Sequence, residues 1–324
     1  MPEASRTYWL TTFCRIRRKD QSLVIERDGH PDRHIPVTDV RDIVASDNVD
    51  VNTAVVALLN QHAIDVHLLS YYGDYAGSVL GGQRSTSGET VIAQVRLAED
   101  DERRMAIARQ LVTACAFNVR RVVDRTLLDR PYRVLEESAA AATGRDQLMG
   151  AEGTFRRSAW ELMDTKLPDW LQLHGRSRRP PRNAGNAFIS YVNGIVYARV
   201  LTALRLTPLH SGIGFLHSTM ERHRHTLALD LAEVFKPLFA ERLLLASRRQ
   251  LQPRHFETTS NQASLSEQGR RLVVQTVRDD LATTVQHRQL QRPVAYDELI
   301  YLEALRLTRT CLEGVPYKAF RIWW

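Results

Sequence analysis

Residues 81–88 read Gly-Gly-Gln-Arg-Ser-Thr-Ser-Gly, and the spacing of apolar residues differs on their two sides. Before this stretch, short β-rich runs such as residues 8–14 and 22–26 are separated by Asp-Gly, Pro and Asp-Asn turn signals, which is typical of strands. After it, apolar residues recur every three or four positions, which is typical of amphipathic helices. The polar, glycine-rich stretch therefore predicts a boundary between two domains.

The predicted fold class is α+β, with a small N-terminal β-rich domain followed by a larger, mostly α-helical catalytic domain. We expect the β-rich domain over residues 1–82, a linker over 83–91 and the helical domain over 92–324; a chain of 324 residues is long enough for both. One short helix is expected in the first domain, over residues 51–62. In the second domain, helices are expected at 103–125, 187–206, 230–245, 269–284 and 297–312.

The composition places the chain among ordinary folded proteins, with 44% hydrophobic and 25% charged residues. No apolar run approaches the roughly 18–20 residues that span a membrane, and the first residues lack the apolar segment of a signal peptide. The three cysteines are far apart, so they predict neither a disulfide framework nor a cysteine zinc site. These features predict a cytoplasmic protein with no membrane partner.

The chain is basic, with a net charge of +7 and a pI near 9.5, which favours a polyanionic partner. A basic protein without such a partner has the same composition, so charge alone leaves both alternatives open. Arg176, Arg178, Arg179 and Arg182 lie around two prolines that exclude a helix. Such irregular, arginine-rich segments either bind nucleic-acid phosphates or form solvated loops, and we list these four as candidate DNA contacts.

Four side chains could carry chemistry: Glu152, His217, Asp230 and Glu233. His217 ends the run Gly-Ile-Gly-Phe-Leu-His, and Asp230 and Glu233 are spaced to share one face of a helix. Each has a structural alternative: a capped helix start for the two acids, a hydrogen-bonded core residue for the histidine, and an exposed helix-start residue for Glu152. Periodicity alone does not connect these residues.

Several segments, taken in this order, resemble the CRISPR-associated spacer-acquisition integrases of the Cas1 family. They are Glu-Gly-x-x-Arg at 152–156, Asn-Ala-Phe-Ile-Ser-Tyr-Val-Asn-Gly-Ile-Val-Tyr at 186–197, the run ending at His217, and Leu-Ala-Leu-Asp-Leu-Ala-Glu-Val-Phe-Lys-Pro at 227–237. The N-terminal region is similar to the β domain of that family. The last eight residues are similar to the ending of one type I branch.

The resemblance implies a metal-dependent DNA integrase and endonuclease of CRISPR adaptation. It implies a homodimer formed through the β domain that works with the Cas2 protein on double-stranded DNA, both the prespacer and the CRISPR repeat. The metal ligands and catalytic residues of the family fall on Glu152, His217 and Asp230, with Glu233 as a secondary acidic residue. Two carboxylates and an imidazole suit Mg²⁺ or Mn²⁺.

In the reaction that this resemblance implies, a 3′-hydroxyl attacks a phosphodiester of the repeat, and water in its place gives cleavage. Two alternatives remain: a structure-specific, metal-dependent nuclease of DNA repair, and a non-catalytic DNA-binding scaffold. The sequence departs from the family pattern at Cys115, where lysine is expected, and at Ala159, where an aromatic residue is usual.

Overall fold

The computed structural model describes residues 6–46, 48–82, 87–217 and 225–324. The N-terminal part contains two four-stranded sheets, with strand orders β1-β5-β7-β8 and β4-β3-β2-β6. The elements are β1 (Arg6–Leu10), β2 (Cys14–Lys19), β3 (Ser22–Glu26), β4 (Arg33–Pro36), β5 (Val40–Ala45), β6 (Val49–Val51), α1 (Thr53–Gln61), β7 (Asp65–Leu69) and β8 (Tyr75–Val79).

The two sheets are mixed: β1, β5 and β7 run parallel, whereas β8 pairs antiparallel with β7. In the other sheet β2 pairs antiparallel with β3 and parallel with β6. Alternate residues of β2 are buried, as expected for a strand with one face on a core. The expected helix at 51–62 is present as α1.

The rest of the described chain is mostly helical, which confirms the predicted fold class. Its helices are α2 (Gly88–Glu99), α3 (Asp101–Val123), α4 (Asp129–Ala141), α5 (Arg145–Asp164), α6 (Ala184–Arg205), α7 (Thr226–Lys236), α8 (Arg242–Ser247), α9 (Glu267–Leu281) and α10 (Tyr296–Glu313). Two small hairpins, which periodicity did not predict, pair β9 (Phe256–Thr258) with β10 (Ala263–Leu265) and β11 (Thr284–Gln286) with β12 (Pro293–Ala295).

The junction between the two parts is shorter than the expected linker. Helix α2 begins at Gly88 because the Ser87 side chain accepts a hydrogen bond from the Thr90 backbone N–H, and Glu89 lies in the positive first turn. Residues 88–91 are therefore helical, and residues 83–86 lie outside the described chain. The division into domains stays a prediction.

Helix α6 is the central element of the helical part. It is long and apolar enough to cross a membrane by length and composition, but 89% of its most apolar window is buried inside the fold. Neighbouring elements cover it on several sides, including α7, α10 and the hairpin β9–β10. It is the core helix around which the helical part of the chain packs.

Close backbone contact joins α6 to the β-rich part. A Cβ added at Gly194 would lie 1.8 Å from the carbonyl oxygen of Gly73, and Gly73 itself has φ +85°. Glycine is therefore required at both positions, one for space and one for its backbone conformation. Val44 and Leu69 extend the contact, because both belong to the hydrophobic core of the helical part.

A buried ion-pair network lies at the same junction. Arg199 of α6 contacts Asp42 of β5 and, through Nε at 2.9 Å, Asp297 of α10. Arg41 reaches the same Asp297 at 2.8 Å. Burial raises the pKa of Asp42, but Arg199 and Arg41 outweigh it and hold that pKa well below its ordinary value. The network therefore holds the β-rich part and the helical part together only while the carboxylates of Asp42 and Asp297 are charged.

His67 predicts a pH-dependent stability. It is fully buried on β7, contacts Ser78 and Thr202 at 2.7 and 2.9 Å, and burial lowers its pKa to about 4. Since the unfolded chain binds a proton near pH 6.5 and the folded one does not, this group's contribution is complete above pH 6.5 and is lost as the pH falls toward 4. We expect about 2 kcal/mol of unfolding free energy to be lost through His67 between pH 7 and pH 5.

Urea unfolding of wild type and His67→Gln at both pH values measures this loss. The glutamine variant should be less sensitive to pH, whereas His30→Gln, at an exposed histidine, should keep the wild-type dependence. Equal pH dependence in wild type and His67→Gln would contradict the assignment.

Candidate metal and catalytic centre

Asp230 organises the segment that leads to His217. Helix α7 begins at Thr226, so Asp230 lies in its second turn and is not a helix cap. One carboxylate oxygen, Oδ2, accepts the backbone N–H groups of Phe215 and Leu216 at 2.6 and 3.0 Å. The other, Oδ1, accepts the backbone N–H of His217 at 2.9 Å and its ring Nδ1–H at 2.7 Å. This fully buried carboxylate is thus used by four donors.

The glycines before His217 have a steric reason. A Cβ added at Gly214 would lie 2.9 Å from Oδ2 of Asp230 and equally close to the backbone of Thr226. Thr226 fixes the loop from the other side, since its hydroxyl donates to the Gly212 carbonyl at 2.7 Å and accepts from the Gly214 N–H at 2.9 Å. The loop folds onto the start of α7 because residue 214 has no side chain.

This arrangement orients the His217 ring. With Nδ1 hydrogen-bonded to Asp230, the other nitrogen, Nε2, has no partner among the described residues, and 23% of the side chain is exposed. Burial lowers the pKa of His217, but the hydrogen bond and charge of Asp230 outweigh it and raise the pKa above its ordinary value. A histidine that donates one ring nitrogen to a carboxylate presents the other to a ligand in a fixed direction.

Two carboxylates and a thiol converge beside this histidine. Glu152 of α5, Glu233 of α7 and Cys115 of α3 offer ligand atoms that all lie within 4.8 Å of one another. Glu152 lies in the middle of α5, not at a helix start as expected. We call Glu152, Glu233, Cys115 and His217 the acidic centre; the charge of His217 lowers the pKa of Glu152, and that of Glu233 raises the pKa of His217.

The two carboxylates experience opposite electrostatic surroundings. Burial raises the pKa of Glu152, and the neighbouring Glu233 raises it further. Burial also raises the pKa of Glu233, but Lys236, one turn along α7, and Arg156 outweigh it and keep that pKa low. Arg156 is itself held by Glu241 at 2.6 Å. Glu233 is thus kept ionised, whereas ionisation of Glu152 is disfavoured in the protein without a bound cation.

Sequence reasoning did not find the role of Cys115. It appeared only as a departure from the family pattern, yet its thiol lies 3.9 Å from the Glu152 carboxylate, and burial raises its pKa well above the ordinary value. The periodicity of α3 places it on the buried face, which indicates a core residue and not an active-centre neighbour. Cys115, Glu152 and Glu233 are brought together only by the packing of α3 against α5 and α7.

The arginine-rich loop contains two kinds of side chain. Arg176 is half-buried and donates to Asn186 and Ser190 at 2.9 Å, so its guanidinium is engaged by α6. Arg178, Arg179 and Arg182 are exposed. Arg178 lies close enough to the acidic centre to lower the pKa of Glu233, and Arg179 lies 3.8 Å from Asp74.

Comparison with known proteins shows which family the chain belongs to. The family model described as "CRISPR associated protein Cas1" matches residues 7–279. The chain belongs to the Cas1 family. A CRISPR-associated endonuclease Cas1 of Thermodesulfovibrio yellowstonii is 33% identical over 325 residues, covering 98% of this chain and 100% of the relative. The family and this relative place the chain among the CRISPR-associated endonucleases.

Three solved structures share the fold of the chain over nearly its whole length. A Cas1 protein of Thermotoga maritima superposes with a TM-score of 0.85 at 29% identity, covering 98% of this chain and 99% of that one. Two more distant structures show the fold alone, each with a TM-score of 0.85. A casposase bound to integration product is 18% identical over 98% of this chain and 96% of its own. A Cas6-RT-Cas1–Cas2 complex is 20% identical over 100% of this chain and 36% of its own.

Proposed function

We propose that this chain inserts short DNA fragments into a CRISPR array with a divalent ion held by Glu152, Glu233 and His217. The observation that carries the proposal is the pair of half-buried carboxylates of Glu152 and Glu233, which lie close together and interact electrostatically with an imidazole that Asp230 orients. The family supports the integrase and nuclease activity; the ligands, the metal and the partners are our inference.

The residues present fit a divalent cation. Burial and the repulsion of Glu233 raise the pKa of Glu152, so the charge of Glu152 is poorly compensated without a cation. Two carboxylate oxygens and one imidazole nitrogen are suited to Mn²⁺ or Mg²⁺. When bound, such an ion would stabilise the negative charge that develops on the phosphodiester oxygens.

Asp230 acts in this proposal as a positioning residue and Glu233 as a ligand, which differs from the expectation that Asp230 ligates the metal. The physical reason is that an ionised carboxylate has about four lone-pair sites, and four donors already use those of Asp230. Glu233 lies one helical turn after Asp230 on α7, and it faces Glu152 of α5. The i,i+3 spacing places Asp230 and Glu233 on the same side of α7. The Asp230 carboxylate lies inside the loop that ends at His217, and the Glu233 carboxylate lies at the acidic centre.

The chain's own residues divide the remaining work. Arg156 and Lys236 keep Glu233 ionised, and Asp230 keeps the His217 ring in place. In the reaction, the 3′-oxygen of the incoming strand forms a bond to phosphorus and the repeat strand leaves with a new 3′-hydroxyl. One phosphodiester replaces another, so no high-energy cofactor is required. Attack by water at the same phosphorus gives cleavage.

We infer that the partners are double-stranded DNA, as prespacer and repeat, a Cas2 protein and a second copy of the chain joined through the β-rich part, all in the cytoplasm. One structural relative is a Cas6-RT-Cas1–Cas2 complex, which supports the Cas2 partner. Arg178, Arg179 and Arg182 remain candidates for DNA contacts because they are exposed on one loop, and Arg178 of that loop lies close enough to act on Glu233. Arg176 instead supports the loop.

Gel-resolved integration of a fluorescent duplex into a supercoiled CRISPR plasmid, with Cas2 and Mn²⁺ or Mg²⁺, tests the proposal. Wild type should join the strands only with metal, and His217→Ala should lose joining because a ligand is gone. His30→Ala, at an exposed histidine of the β-rich part, is the matched control. Cleavage of branched DNA without integration would favour a repair nuclease, and DNA binding without chemistry would favour a scaffold.

A further inference from the structure

A strongly cationic cavity of about 400 Å³ lies near the C-terminal end of α3. Five of its eight lining side chains are arginines, and the other three are apolar or aromatic. The lining residues are Phe117, Arg120, Arg121, Arg125, Arg288, Arg321, Ile322 and Trp323. We call it the arginine pocket. Among the described residues no carboxylate lines it, so the arrangement has no internal charge compensation within the cavity.

Only one of the five arginines forms a salt bridge within the described part of the chain. Arg120 contacts Asp129 at 2.6 Å, and Asp129 is shared with Arg133. Arg121 and Arg288 instead donate to the main-chain oxygens of Trp324 and Trp323, at 3.0 and 3.2 Å. A guanidinium has five N–H donors, so each of these contacts leaves most of the N–H groups available to donate to a ligand.

The walls of the pocket are fixed before any ligand arrives. Asn118 donates to the Phe320 carbonyl at 3.1 Å and accepts the Ile322 N–H at 2.8 Å, which ties the C-terminal segment to α3. Glu303 accepts the Tyr317 hydroxyl and the Phe320 N–H from the other side. Arg321 lies over the Phe117 ring at 5.2 Å. Little ordering entropy is therefore lost when a ligand binds.

The pocket lies apart from the acidic centre. Phe117 and Cys115 are two positions apart on α3, about 200° around a helix of 3.6 residues per turn, so they point to different sides. Asn118 links the two regions, because it holds the C-terminal segment and also donates to the Val234 carbonyl, next to Glu233, at 2.9 Å. A ligand in the pocket would contact the same helix that carries the Cys115 thiol.

We infer that the arginine pocket binds the phosphodiester backbone of DNA, outside the acidic centre. Several guanidinium forks around one cavity match the spaced phosphates of a nucleic-acid strand, because each fork can donate two parallel N–H groups to one phosphate. The inference rests on the proposed function, since it takes the substrate of that reaction as the ligand. In this inference the arginine pocket holds one part of the DNA while another part of the same DNA lies at the acidic centre.

Binding of a fluorescent DNA duplex in EDTA, measured by anisotropy over a range of salt concentrations, tests the inference without any chemistry. Arg125→Gln/Arg288→Gln removes two exposed pocket charges, and Arg18→Gln/Arg249→Gln removes two exposed charges elsewhere. The pocket variant should bind about tenfold more weakly, with a salt slope smaller by about 1–2. The control pair should stay close to wild type.

Equal affinity and slope for the two double variants would overturn the inference. Failure of wild type to bind DNA would instead overturn the proposed function together with the pocket. Thermal melting of each variant verifies the fold, and because all four arginines are exposed, their Tm values should match wild type.

Discussion

Glu152→Gln is expected to lower metal-dependent DNA cleavage and integration by at least about 100-fold, because it removes a proposed metal ligand. Loss of a residue that only hydrogen-bonds to a metal ligand already costs about 10–100-fold in metal affinity or activity. The same variant is expected to melt at a higher temperature than wild type in EDTA. The two opposite effects distinguish a functional carboxylate from a structural one.

The expected stability gain follows from the direction of the pKa. Burial and Glu233 raise the pKa of Glu152, so the folded chain holds this proton more tightly than the unfolded chain. Stability therefore falls as the pH rises above the unfolded value, and at pH 8 the fold carries the cost of a buried charge. Glutamine has the same shape without that charge.

Thermal melting with and without Mn²⁺ measures this prediction beside the gel assay. Wild type should be stabilised by Mn²⁺ through mass action, and Glu152→Gln should respond much less. Glu161→Gln, at an exposed position of the same helix, is the control and should keep both the activity and the response. An active Glu152→Gln protein, or one that melts well below wild type in EDTA, would contradict the assignment.

Arg199→Ala is expected to lower the free energy of unfolding by about 3–5 kcal/mol, which is typical when one partner of a buried ion pair is removed. The side chain is 3% exposed, and its loss would leave Asp42, 1% exposed, with a buried charge. Since Asp42 lies on β5 and Asp297 on α10, the loss falls on the contact between the two parts of the chain.

Urea unfolding at pH 7.5 measures the effect, with Arg309→Ala as the control. Arg309 also forms a salt bridge, to Glu313 at 3.0 Å, but its side chain is 65% exposed. Exposed pairs contribute little to stability, because water screens the charges and side-chain entropy opposes the contact, so this variant should remain near wild type. Similar losses for the two variants would show that burial of the Arg199 network is unimportant.

Much of the fold could be predicted from hydrophobic spacing. The change of period near residue 81, the buried run of α6 and the amphipathic pattern of α3 all gave elements close to those observed. Spacing gave no helix for α2 or α4, and it missed the two small hairpins. The hairpin strands are three residues long, too short for a pattern to emerge, and depend on neighbouring elements for their stability.

The sequence by itself determined the α+β fold class, the family and the set of residues around which the chemistry was sought, since these depend on local pattern and residue type. Only the tertiary structure decided how these residues are arranged and which partners they contact. Asp230 and Glu233 have the same charge on the same helix, but the glycine loop folds over one and α5 brings Glu152 to the other. Glu152 and Glu233 lie far apart along the chain, and no local pattern encodes which donors reach which oxygen.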